Sequence, residues 1–183
     1  MAGFTTVHDQ LLVTAIVGLV NMLSTVFTIL FIDKFGRRPI LFTGIITMVL
    51  SLFVTFFIFH IGVHTHIQQL ILVASVLVFI IGFAISMGPI AWMICSEIFP
   101  LKGREFGLMI TTATNWIGNL LVGLTFLSLI SGIGIANTFF MFMCFNVIAL
   151  VLFALYVPET KGISLESIES KLFAGTKLRK LGV

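Results

Sequence analysis

Charge is scarce in this sequence. Lys, Arg, Asp and Glu together make up 9% of its 183 residues, against about 25% in an average soluble domain. A soluble globule needs a polar skin, and there is too little polar material here to make one. The shortage excludes an ordinary cytosolic enzyme, a disordered segment and a nucleic-acid-binding domain. Cysteine is scarce too. Cys95 and Cys144 lie in or at the edge of apolar runs; they give no disulfide framework and no metal-ligand spacing, and they leave the redox compartment unread. Length alone suggests one domain. The net charge of +3 is modest, so where the charges sit matters more than their sum.

Hydrophobic residues fill the gap, at 59% of the chain, with a mean hydropathy of +1.22. Five stretches carry no Asp, Glu, Lys or Arg: 11–32, 39–59, 70–96, 106–130 and 135–157. Each reaches the roughly 20 residues needed to cross a ~30 Å hydrocarbon core as a helix. None alternates apolar and polar over ten-residue segments, which argues against a membrane β-barrel. In hydrocarbon the backbone must satisfy its own hydrogen bonds, so the runs predict five transmembrane helices in an all-α membrane protein. The lipid bilayer is therefore an expected partner, and nucleic acid is not. Residues 1–160 form the transmembrane part and 161–183 a tail.

The basic residues predict orientation. Lys34, Arg37 and Arg38 lie between the first and second runs, Lys102 and Arg104 between the third and fourth, and Lys161, Lys171, Lys177, Arg179 and Lys180 after the fifth. The linkers 60–69 and 131–134 contain none. Positive-inside bias places both basic loops and the C-terminus in the cytoplasm and the N-terminus outside. Residues 1–10 have no basic n-region and no cleavage site, so they are not read as a signal peptide. An odd number of helices with an exported, unsignalled start gives the expectation that something precedes this chain. In the tail, Leu165, Ile168 and Leu172 recur at helical spacing, with Ser164 as N-cap. Two readings stand there: a short amphipathic helix on the inner membrane face, or a solvated tail.

Neutral polar residues form stripes within the runs. Thr14, Gly18, Asn21, Thr25 and Thr28 share one face of the first, and Thr111, Asn115 and Asn119 one face of the fourth. Small and polar residues commonly mediate helix packing in membranes. An amide facing lipid costs several kcal/mol unless paired, on the order given for buried polar groups, so Asn115 and Asn119 are expected to face protein or a wet cavity. A polyhydroxylated neutral ligand needs such groups. An amide brackets adjacent hydroxyls, and an indole covers the C–H face of a sugar ring while donating an N–H. Asn21, Trp92, Asn115, Trp116 and Asn119 could supply that chemistry, with Trp116 equally readable as packing mass. Gly88-Pro89 lies near the end of the third run and is expected to break that helix. Broken helices near the bilayer middle recur in secondary transporters.

Asp33, Arg37, Arg38, Glu97, Arg104 and Glu159 gather at the ends of the runs on the basic side. They either form ion pairs that hold an inner gate shut, or they only set topology and remain solvated. His60, His64 and His66 share a short linker without a neighbouring carboxylate or Cys, so neither a metal site nor a cofactor is expected.

Five motifs, DKFGRRP (33–39), GPIAW (88–92), SEIFP (96–100) with Arg104, Asn115-Trp116, and PETKG (158–162), occur in the order and spacing of the sugar porter family of the major facilitator superfamily. The sequence resembles that family from about residue 11 to about 172. The resemblance implies an incomplete C-terminal half of a major facilitator fold, helices 8–12 of twelve, that moves sugar by alternating access. It implies that Asn21, Trp92, Asn115, Trp116 and Asn119 contact a monosaccharide. It also implies that Arg37, Arg38, Glu97, Arg104 and Glu159 belong to a cytoplasmic charge network. Ala84 before the GP motif is similar to the bacterial sugar–proton symporters of the xylose-transporter kind, which suggests a bacterial inner membrane, whereas Glu105 departs from them. A separate polypeptide carrying the missing helices is then an expected partner. The alternative is a truncated or structural membrane protein that does not transport.

Overall fold

A computed structural model describes residues 7–181. The expected exported start falls mostly at residues 1–6, outside the described residues. The order is α1 (Val7–Phe35), α2 (Arg37–Ile61), α3 (His66–Ile85), α4 (Pro89–Ile98), a 3-10 turn (Leu101–Gly103), α5 (Arg104–Ile133), α6 (Ile135–Tyr156), α7 (Leu165–Phe173) and a 3-10 turn (Leu178–Lys180). Five stretches are long and apolar enough to cross a membrane, with α3 and α4 together making the third. Among the described residues there is no strand.

Two helices start ahead of their charge-free stretches, at ends that side chains satisfy. α2 begins at Arg37, two residues before the uncharged run, because the Glu159 carboxylate accepts the Arg37 and Arg38 backbone N–H groups, each at 3.0 Å. α3 begins at His66 because Thr65 and Gln68 form a reciprocal capping box. Gly36 joins α1 to α2 at φ +89°, a conformation side chains rarely adopt. A Cβ there would also sit 2.8 Å from Glu159 Oε2.

α2 is the central helix. Leu41, Gly44, Ile45, Met48, Ser51, Leu52, Thr55 and Ile58 are buried at helical spacing along one side, where α3 and α6 pack. Ile32 from α1, Ile40, Leu41 and Ile45 from α2, and Ile90 and Ile94 from α4 make one buried cluster. Within lipid no hydrophobic force draws helices together, so close packing and polar contacts must do it. Gly44 and Gly82 let the α2 and α3 backbones touch, and the buried Thr55 and Ser75 hydroxyls meet at 2.8 Å. α5 lies at the other extreme, with no buried residue.

α7 forms where the spacing placed it, with the Ser164 side chain accepting from Ser167 N–H at 3.3 Å. It packs against α4, and Ile168 is 1% exposed. Part of its apolar face is therefore buried within this chain, which neither sequence reading anticipated.

A methyl group at Gly44 would lie 2.3 Å from Ser86 Cβ and Oγ and 2.6 Å from Gly82 O. Gly44→Ala should therefore lower the unfolding free energy of the purified chain in micelles by about 1–3 kcal/mol, the range for overpacking. Gly18→Ala, with nothing within 4 Å, should cost nothing. Equal effects of the two would overturn this account of the α2–α3 contact.

Candidate functional site

The charged residues of the motifs collect at one end of the bundle, and Glu159, Arg38 and Lys161 meet helix termini there. An α-helix leaves four N–H groups bare at its start and four carbonyls bare at its finish, with partial positive and negative charge respectively. Glu159 accepts the first amides of α2 and the Lys161 N–H at 3.0 Å. Arg38 Nη2 donates to Ala154 O in the last turn of α6 at 3.0 Å, and its guanidinium stands 5.4 Å from the centre of the Phe42 ring. Lys161 Nζ donates to Lys34 O in the last turn of α1 at 2.8 Å. Each charge sits where the helix dipole favours its sign.

Arg37 is the hub. Its Nη1 contacts Asp33 and its Nη2 contacts Glu97, each at 3.1 Å. The two bonds are not equivalent. Asp33 is 83% exposed and Glu97 19%, so the bond to Asp33 is screened and contributes little. Glu97 also accepts a short hydrogen bond from Thr160 Oγ1. Arg37 Nε is buried without a hydrogen bond. Among the described residues Arg104 makes no ion pair; its Nε donates to Phe99 O at 3.4 Å. Of the six residues read either as an ion-paired network or as solvated topology charges, Arg37 pairs with Asp33 and Glu97, while Glu159 and Arg38 hold backbone groups. Sequence reasoning did not name Thr160, and it used Lys161 only for orientation. They lie inside PETKG, but nothing in their spacing shows which distant atoms they reach.

The helix break sits at residues 86–88. α3 ends at Ile85, and α4 starts with Gly88 as N-cap and Pro89 as first residue. Gly88 N–H reaches five residues back to Phe83 O at 2.9 Å, and the Ser86 hydroxyl donates to Gly82 O at 2.7 Å.

The five candidate binding residues are distributed over three helices, α1, α4 and α5. On α5, Asn119 Nδ2 donates to Asn115 Oδ1 at 3.0 Å. That bond uses one donor and one acceptor, leaving both Asn115 N–H groups and the Asn119 carbonyl for other partners. Trp116 and Asn119 line one open groove of about 370 Å³ with Leu120, Gly123 and Leu124. Trp116 is 69% exposed. Asn21 on α1 is exposed, and Thr25 Oγ1 stands 2.9 Å from its carbonyl and 3.4 Å from its Oδ1. Trp92 projects from α4, partly exposed. α4 touches both α1 and α5, so the helix carrying Trp92 lies between those carrying the amides. Asn21 and Trp92 are not among the walls of the α5 groove. Among the described residues no group of three or more His, Cys, Asp or Glu is placed to hold a metal.

A family model described as "Sugar (and other) transporter" matches residues 1–172. The galactose-proton symporter of Escherichia coli K12 is 46% identical over 182 residues, covering 100% of this chain and 39% of the relative. The arabinose-proton symporter of the same organism is 40% identical over 186 residues, again covering 100% and 39%. The solved structure of the proton:xylose symporter XylE bound to 6-bromo-6-deoxy-D-glucose superposes with a TM-score of 0.79 at 32% identity. It covers 90% of this chain and 35% of that one. The chain spans about 39% of the length of the curated relatives it matches.

Glu159→Ala should remove the cap from α2, at a cost of about 0.5–2 kcal/mol, and speed hydrogen exchange at the Arg37 and Arg38 amides. Asp33→Ala should leave both stability and exchange unchanged. Exchange at those amides that ignores Glu159→Ala would refute the capping role.

Proposed function

This chain belongs to the sugar transporter family of the major facilitator superfamily, a family of multi-pass membrane transporters, and from that premise we propose that it forms the C-terminal part of a sugar carrier working by alternating access. Its substrate is a monosaccharide, a hexose or pentose, moved with a proton as in the symporters it is similar to. Asn21, Trp92, Asn115, Trp116 and Asn119 form its share of the sugar site. The observation that carries this reading is the α5 stripe. Two amides hydrogen-bonded to each other, with donors and an acceptor to spare, stand beside an indole on a helix of which no residue is buried. A span left that bare needs either lipid or protein around it. Amides are costly against lipid, so the stripe suits a wet chamber closed by further helices.

The remaining helices, on the same polypeptide or a separate one, complete the second half that alternating access requires. The carboxylate that takes the proton lies with them, since 70–96, 106–130 and the rest of the uncharged runs hold none. The charged end faces the cytoplasm by positive-inside bias, in a bacterial inner membrane. The transmembrane part extends to about residue 160, and 161–183 form the tail.

The test is binding and uptake of galactose and arabinose by this chain joined to, or co-produced with, the missing helices in liposomes. Trp92→Ala and Asn115→Ala should each weaken binding by about 1–3 kcal/mol, the cost of leaving polar groups unpaired. Unchanged affinity in both would overturn the site. Sugar accumulation by the purified chain alone would overturn the need for further helices.

A further inference from the structure

The break between α3 and α4 strips one carbonyl of its usual donor. In an unbroken helix Ile85 O would accept from the N–H of residue 89, but that residue is Pro and has none. The neighbouring bonds do not replace it. Ser86 N–H is shared between Gly82 O and Phe83 O at 3.2 Å each, Gly88 N–H goes to Phe83 O at 2.9 Å, and Ile90 N–H goes to Ser86 O at 3.0 Å. The donor that reaches Ile85 O comes from another helix. Thr28 Oγ1, on α1, stands 3.3 Å away. Thr28 is 1% exposed, so water does not compete. An apolar groove of about 270 Å³ lies beside the pair, lined by both residues with Phe27, Phe31, Ile40 and Thr43. The groove offers no other donor, because the Thr43 hydroxyl goes to Ile40 O at 2.9 Å.

The Thr28 hydroxyl has a second acceptor. It lies 3.0 Å from Ser24 O in its own helix, and a hydroxyl has one proton to give. We propose that Thr28 is the positioning residue of this break. Its hydroxyl, shared in this structure between Ser24 O and Ile85 O, gives Ile85 O part of the bond that Pro89 removes, holds α4 and Trp92 at the observed angle, and turns wholly to Ser24 O when α4 tilts. The other face of the break is fixed by the backbone contact at Gly44, so Thr28 is the contact that can let go without exposing its own hydroxyl. What the hinge serves rests on the transport reading; the bond and its effect on Trp92 do not.

The two tryptophans of the chain make the test direct. The full chain carrying 5-fluorotryptophan in lipid nanodiscs, without sugar, gives one ¹⁹F resonance for Trp92 and one for Trp116. Thr28→Val should shift the Trp92 resonance and leave that of Trp116 in place. Thr28→Ser, which keeps the hydroxyl, should match the parent. In a Pro89→Ala background residue 89 regains its N–H, so adding Thr28→Val should move nothing further. A Trp92 resonance indifferent to Thr28→Val overturns the proposal. So does a Ser variant that behaves like Val, or a shift that persists undiminished after Pro89→Ala. If Thr28→Val does not fold, rescue by Pro89→Ala supports the proposal and failure in both backgrounds overturns it. No sugar enters these measurements, so their outcome is separate from that of the binding test on Trp92 and Asn115.

Discussion

A peptide group inside hydrocarbon has no water to bond with, and that constraint organises most of this molecule. It turns five apolar runs into helices, because only there can each segment satisfy its own N–H and C=O groups. It also makes every place where the ladder fails informative. The ladder fails at the helix ends and at Pro89, and at Pro89, the start of α2 and the ends of α1 and α6 a side chain from a distant part of the chain supplies what the backbone lacks.

That pattern changes the meaning of the charged motifs. DKFGRRP and PETKG look like ion-pairing sequences, yet Glu159 bonds to main-chain amides and Lys161 and Arg38 bond to main-chain carbonyls. The charges join α1, α2, α6 and the tail by finishing one another's helices. Among the described residues, Arg37–Glu97 is the ion pair whose two side chains are both well covered. It is also the pair that attaches α4, the short helix beyond the break.

The five spans were legible because hydropathy and charge vary on the scale of a whole helix. The break was legible because proline has one backbone consequence wherever it sits in a helix. Helix ends were less so. Thr65 with Gln68 is a capping signal in plain view, but the start of α2 depends on a carboxylate 122 residues away. Thr28 and Ile85 are 57 residues apart, and Thr160 and Glu97 are 63 apart. No local pattern encodes such meetings. The spacing of Leu165, Ile168 and Leu172 predicted an apolar face on α7 but neither the burial of Ile168 nor the packing of α7 on α4. The stripe of Asn115 and Asn119 was readable as a shared helix face, while the absence of any buried residue along α5 was not.

α4 has ten residues, so it is about 15 Å long at 1.5 Å per residue. Trp92 sits a turn from the break and Glu97 near the far end. α4 is therefore a lever arm with its fulcrum at residues 86–88. A tilt of about 10° there carries the far tip of that length by about 2.6 Å while displacing the indole's attachment point by only a fraction of that. Since Arg37 and Glu97 are joined at 3.1 Å, a displacement of that size at the tip is enough to part the pair, while the same tilt leaves the indole close to its place.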